Sequence, residues 1–288
     1  MRLRRRPRDL LDRRAEKILN RDGYVRLEGL ASDDVDELRA VFDRTHEAPA
    51  GPVGTPTDDW RADPAPGPGF SNDLEFPFEH RDQLEELLDP FWRRFLPTLL
   101  VDHERVLTTY LMKWPGESQL TLHQDPTFVD ETRGRSLTIW IALDDADDEI
   151  GNGPLYAVPR SHRVGYEYRG TATPSTYLGY LTELWEHTEP IPVRRGDVLV
   201  IDGRVIHGSP PNRTDRLRLA VCAPVVPRGS SLIHAVGDGD QSVVIHDVPD
   251  DFYRRSSPGR LIDDPPVNPP DARPIARAPE PFRLEAFG

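Results

Sequence analysis

Apolar residues recur at helical spacing twice within the first 45 positions. Leu10, Leu11, Ala15, Ile18 and Leu19 stripe a segment from Arg8 to Asn20, and Val35, Leu38, Val41 and Phe42 stripe a second that Ser32 is placed to cap. Between them GYVRLEGL alternates like a short strand. From Ala48 to Gly69 proline and glycine dominate, which predicts a long loop, and a third helix is predicted over Arg81 to Phe95. Beyond Arg105 the pattern changes to short strands separated by turns: RVLTTYLMKW, QLTLHQD, SLTIWIAL, GPLYAVP, DVLVIDG and LRLAVCAPVV. Helices followed by many strands predict a mostly β chain with flanking helices, its core a β-sandwich or jelly roll. The expected organisation is one domain over 1–255, helical over 1–104 and jelly roll over 105–255, with a proline-rich tail over 256–288 that wraps the surface.

Composition narrows the function classes. A net charge of −13 argues against a nucleic-acid backbone as partner, since that affinity comes from clustered Lys and Arg. No apolar run is long enough to cross a membrane, and the Arg-rich start lacks the apolar segment of a signal peptide, so a soluble cytoplasmic protein is expected. The lone Cys222 sits in a strand-like apolar run and reads as a small buried residue that fits a reducing compartment, rather than as a nucleophile.

The chemistry concentrates in LTLHQDPTFVDE. In a strand, residues two apart share a face, so His123 and Asp125 would offer an imidazole and a carboxylate side by side, two thirds of the facial set that holds ferrous iron. A jelly roll brings sequence-distant strands together at its open end, which makes a later strand the place for a third ligand. His207, at the end of an apolar strand and before the turn-rich SPPN, fits that position. Arg216 and Arg218 follow in the same segment, and a guanidinium there can grip the carboxylate of a dicarboxylate cosubstrate at two points. Arg218 alternates with Leu217, Leu219 and Val221 and so projects from the face opposite them.

These motifs occur in an order that resembles the phytanoyl-CoA dioxygenase family of iron(II)- and 2-oxoglutarate-dependent oxygenases. LNRDGYVRLEGL resembles the family's opening, MKWPGE precedes HQD, IWIALDD and NGPLYAVPRSH follow it, and HGSPPNRTDRLR closes the series, so that Leu19 to Val225 is covered. One departure is Arg160, where the family more often has glycine before the serine. The resemblance implies a double-stranded β-helix, a cupin-like jelly roll, with His123, Asp125 and His207 as iron ligands and Arg218 on the far carboxylate of 2-oxoglutarate. Ser209 and Trp140 match positions that line the same pocket, although Trp140 also reads as a core aromatic. Strand parity puts Leu107, Thr109, Leu111 and Lys113 on one face, and Thr109 is the one expected to reach the cosubstrate. The implied reaction consumes O2 and 2-oxoglutarate, releases succinate and CO2, and hydroxylates an aliphatic carbon of a small-molecule or carrier-bound substrate.

Other residues have plainer readings. His162 is expected to be structural, and His46, His80, His103, His187, His234 and His246 to be surface or loop histidines. The acids of LDDADDE and of HQDPTFVDE read as solvated turn residues, with Asp130 or Glu131 facing a cationic substrate as the alternative. Two other classes fit the same residues: a non-catalytic sensor or partner module that binds metal and 2-oxoglutarate, and a cupin-like metal enzyme that is not an oxygenase and needs no Arg218.

Overall fold

The computed structural model describes residues 8–48, 71–72, 76–116, 119–164, 168–173, 177–237, 243–255 and 273–275. The expected 48–69 loop beyond Ala48, and the 256–288 tail apart from 273–275, lie outside the described residues.

Three helices and a first strand open the chain. Helix α1 (Arg13–Asp22) begins at Asp12, whose carboxylate accepts from the backbone N–H groups of Arg14 and Ala15, so the helix starts later than its apolar stripe. It ends at Gly23, which takes the left-handed conformation (φ 89°). A Cβ at that glycine would lie 2.4 Å from Val205 and 2.5 Å from His162, so the chain can pass there only without a side chain. Strand β1 (Tyr24–Leu27) follows, then α2 (Ser32–Thr45). Ala31 caps α2, without a side-chain hydrogen bond. The expected Ser32 cap is therefore displaced by one residue, and Asp33 and Asp34 in the first turn complement the helix dipole instead. After the two-residue β2 (Ser71–Asn72), α3 runs Phe78–Leu99 through Pro90 and Pro97, well past the predicted span. Its buried stripe of Leu84, Leu88, Phe91, Trp92 and Leu96 holds it against the core, each large side chain contributing roughly 1.5–3 kcal/mol.

The remaining strands are β3 (His103–Arg105), β4 (Thr109–Lys113), β5 (Leu120–His123), β6 (Leu137–Ala142), β7 (Leu155–Ala157), β8 (Glu189–Ile191) after the short α4 (Leu181–Glu186), β9 (Val198–Asp202), β10 (His207–Ser209) and β11 (Arg218–Pro227). They form two antiparallel sheets. The larger has the order β1-β9-β6-β11-β4-β2 with β3 also on β11, and the smaller is β5-β10-β7-β8. Alternation along the central strands sorts residues between two cores. Ile139, Ile141, Leu219 and Val221 face the helices, while Trp140, Ala142, Ala220 and Cys222 face the smaller sheet together with Leu155, Ala157 and Ile191. The result is a jelly roll with helices on the outer face of its larger sheet. A third sheet, unforeseen in the sequence, joins β12 (Ile233–Gly237), β13 (Val243–Asp247) and, after α5 (Phe252–Arg255), β14 (Arg273–Ile275).

Candidate metal centre

His123 and His207 are Cα partners across β5 and β10, and their ring centroids lie 4.4 Å apart. Asp125 is not in the strand with His123, as alternation suggested. It lies two residues on, beyond the end of β5, and curls back so that its Oδ1 is 3.8 Å from His207 Nε2. One ligand atom from each of the three lies within 4.8 Å of the others. His207 also departs from expectation: β9 ends at Asp202, a turn intervenes, and the histidine opens its own short strand.

Hydrogen bonds at the rear of each side chain aim the front. The Nδ1 of His123 donates to the Thr121 carbonyl at 2.9 Å and that of His207 to the Val205 carbonyl at 2.9 Å, which leaves both Nε2 lone pairs for a cation. Thr138 donates its hydroxyl to Asp125 Oδ2 at 2.6 Å and leaves Oδ1 available. Desolvation, reinforced by the neighbouring His207, pulls the His123 pKa down to about 4, so the ring is neutral at physiological pH as ligation requires. Two imidazoles and a carboxyl group form a donor set suited to ferrous iron.

The turn before His207 is fixed from three sides. Ser161 accepts from the Ile206 N–H at 2.8 Å and donates to the Val158 carbonyl at 2.7 Å, so PRSH is a clamp behind the distal histidine. Gln124, between His123 and Asp125, donates to the Arg204 carbonyl at 2.5 Å. Burial opposes ionisation of Asp202, but Arg204 and Arg135 outweigh it and hold the carboxyl below its usual range. His162 is buried against Gly23, in keeping with a structural role.

A wall of inward-facing residues runs away from the triad along β4, β11 and β6. Thr109, Cys222 and Trp140 form one row of Cα partners, Leu111, Ala220 and Ala142 the next, and Lys113 and Arg218 the last. The Arg218 guanidinium turns back over the Trp140 ring, 5.7 Å from its centroid. The buried Trp140 indole N–H meets no hydrogen-bond acceptor among the described residues, and the middle row presents two alanines and so little side-chain bulk. Both features fit a short dicarboxylate lying between the metal ligands and Arg218. Arg216, two residues before Arg218 and so on the same face if the strand extended that far, precedes β11 and has 89% of its side chain exposed. Ser209 reaches the end of this wall with its hydroxyl engaged: it donates to the Gly153 carbonyl at 2.9 Å and accepts from Lys113 Nζ at 3.0 Å. Lys113 is fully buried, which its place among four residues sharing a strand face does not by itself indicate. Gly153 (φ 75°) admits this packing, because a Cβ there would lie 2.5 Å from the Pro210 carbonyl oxygen. Cys222 is buried, and burial together with the charge of Asp125 raises its thiol well above the usual value, which removes it as a nucleophile.

Several plainer expectations change. Glu131 is not free for a cationic substrate; it is buried against Arg169. His103, His234 and His246 are buried rather than at the surface. Of the LDDADDE acids, Asp144 accepts from the Leu219 N–H and pairs with Arg39, Asp145 accepts from the Arg195 N–H, and Asp148 accepts from the Tyr156 hydroxyl. No helix among the described residues is long and apolar enough to cross a membrane.

Fold and site together define a jelly-roll protein with a two-histidine, one-carboxylate cluster at the end of its smaller sheet. The chain belongs to the phytanoyl-CoA dioxygenase (PhyH) family, whose model matches residues 19–220. It is 38% identical over 125 residues to phytanoyl-CoA dioxygenase domain-containing protein 1 of Rattus norvegicus, a match covering 40% of this chain and 42% of that protein. The chain thus spans about two fifths of the length of that curated relative. Among solved structures it resembles the epimerase SnoN in complex with Fe3+, alpha ketoglutarate and nogalamycin RO, with a TM-score of 0.53 and 20% identity over 95% of this chain and 96% of that one. It also resembles the alpha ketoglutarate-dependent carbocyclase SnoK, with a TM-score of 0.51 and 20% identity over 77% of this chain and 86% of that one.

Proposed function

We propose that this chain is an Fe(II)- and 2-oxoglutarate-dependent dioxygenase that hydroxylates an aliphatic carbon of a small-molecule or carrier-tethered metabolite. The observation that carries the reading is the convergence of His123, Asp125 and His207 beside an inward wall that ends in a buried arginine. His123, Asp125 and His207 would hold the iron, and Arg218 would pair with the far carboxylate of 2-oxoglutarate, the Trp140 N–H and Thr109 lying along the way. When bound, iron and 2-oxoglutarate supply the oxidising power, with O2 consumed and succinate and CO2 released. The chain's part is to hold these groups in register and keep water away by the apolar core of Ala142, Leu199, Ala220 and Cys222 between the sheets. Asp125 also bears on the outcome. A carboxylate in the ligand set occupies a position that a halide would need and adds negative charge against it, which favours hydroxylation over halogenation. SnoK is a carbocyclase and SnoN an epimerase, so this fold also accommodates outcomes other than hydroxylation, chosen by how the substrate is placed. A reduced, buried Cys222 suits a cytoplasmic location.

The test is turnover. Protein loaded with Fe(II) and 2-oxoglutarate under nitrogen, then exposed to oxygen, should release succinate, faster with a substrate drawn from small metabolites and carrier-tethered acyl or peptidyl groups. Asp125→Ala and His207→Ala should release none. Under oxygen-18 gas with excess chloride, the substrate should become a labelled alcohol. Succinate release that survives both substitutions, or a halogenated product, would contradict the proposal.

A further inference from the structure

Asp125 lies in an irregular segment with no ladder to hold it, and a ligand so placed keeps its geometry only if its backbone is fixed by something else. Arg169 supplies that support. Its Nε donates to the Asp125 carbonyl at 2.8 Å, and Nη1 and Nη2 pair with the two Glu131 oxygens at 3.0 and 2.8 Å. The Arg169 N–H donates to the Thr127 hydroxyl at 2.9 Å, and the Thr127 N–H donates to the Arg169 carbonyl at 2.8 Å. Residues 125, 127 and 131 are thus gathered around one guanidinium and its backbone. The planar guanidinium grips both carboxylate oxygens with two nitrogens while a third reaches the carbonyl; an ammonium, with its donors on one atom, cannot hold the same three acceptors in that fixed geometry.

The pair is buried, with Arg169 6% and Glu131 7% exposed. A buried ion pair is a poor source of net stability, because desolvating two charges costs about as much as their attraction returns. Its presence here therefore calls for another role. Arg169 is itself anchored from outside the jelly roll: two residues on, the Thr171 N–H donates to the Ala235 carbonyl at 3.0 Å, and the Gly237 N–H donates to the Thr171 carbonyl at 2.9 Å. The β12–β13 hairpin, Thr171, Arg169 and Asp125 form one continuous mechanical chain.

We propose that Arg169, held by Glu131 and braced by the β12–β13 hairpin, is a positioning residue that presets the Asp125 carboxylate for the metal. It acts through Asp125, and the inference rests on the proposed role of Asp125 as an iron ligand. The test compares the full chain with the double variant Arg169→Met/Glu131→Leu, which removes both charges together and leaves no lone buried ion. Fe(II) affinity is measured anaerobically, along with the visible band that appears when 2-oxoglutarate is added and the melting temperature of the metal-free protein. The expected result is a metal-free melting temperature within a few degrees of the parent, Fe(II) binding weaker by roughly 10–100-fold, and a displaced or broadened band. Parent-like affinity and band in that variant would overturn the proposal. Should the double variant not fold, Arg169→Lys decides: it keeps a cation beside Glu131 and is expected to lose on the order of tenfold in Fe(II) affinity, whereas unchanged affinity would overturn the positioning role. Absence of Fe(II) binding by the parent chain would instead refute the reading of Asp125 on which this one rests.

Discussion

Two arginines separated by one residue differ in everything that matters for binding. Arg218 is 4% exposed and starts β11 on its inward face, whereas Arg216 extends into solvent from the turn before it. Arg218→Ala should weaken 2-oxoglutarate binding by about 2–4 kcal/mol, on the order of a hundredfold, because a two-point charged contact in a desolvated pocket is lost. Arg216→Ala should leave it nearly unchanged. Calorimetric titration of the two variants measures both, and a larger loss at Arg216 would contradict the assignment. Parity alone could not separate the two, since alternation is a property of strands and says nothing of where a strand begins. Arg160 shows the opposite relation between sequence and structure. The departure from the family's glycine is legible in the sequence, and its cost appears only in the backbone, where Arg160 sits at φ 68° with its side chain exposed. Left-handed geometry costs a non-glycine residue about 1–2 kcal/mol, and glycine gives back part of that through the unfolded chain. Arg160→Gly should therefore stabilise the protein by about 0.5–1 kcal/mol in urea unfolding; a loss of stability would show that the arginine side chain makes up the strain.

Among the elements, those with long regular patterns were legible and those defined by tertiary contacts were not. The central strands β6, β9 and β11 follow their apolar runs closely. The three-residue β10 did not stand apart, because DVLVIDGRVIHGS reads almost as one strand, and the break comes from the buried Asp202–Arg204–Arg135 ion group that turns the chain. The β12–β13 hairpin was also unread. Its histidines look polar in sequence, yet His234 and His246 are cross-strand partners and both are buried. Burial, with a smaller effect from His246, lowers the His234 pKa to about 4. A histidine held neutral in the fold but free to protonate at about 6.5 when unfolded makes the unfolded state the better proton binder between those values. The contribution of His234 to stability should accordingly be level above pH 6.5 and fall by roughly 2–3 kcal/mol as the pH drops toward 4. In His234→Gln, whose amide can still meet the Thr171 and Tyr253 hydroxyls, the fall should be shallower. Equal slopes for the two proteins in urea unfolding across this range would contradict the burial argument.

At the scale of the whole molecule, the larger sheet carries the helices outside and the candidate cosubstrate wall inside, while the smaller sheet carries two of the three candidate ligands. The candidate triad and Arg218 stood out in the sequence because their chemistry is rare and ordered along the chain. The supports were not: Thr138, Ser161, Gln124 and the Arg169–Glu131 pair act through backbone carbonyls and hydroxyls that no periodicity marks. Everything proposed for this molecule depends on the three ligands acting as one site. The most direct measurement is an anaerobic Fe(II) titration in the presence of 2-oxoglutarate, followed by metal content and by visible absorption. The account predicts one iron per chain and a charge-transfer band that saturates with it, both lost in His123→Ala and in His207→Ala, since two ligands hold ferrous iron far less well than three. Full iron occupancy and an unaltered band in His207→Ala would contradict it.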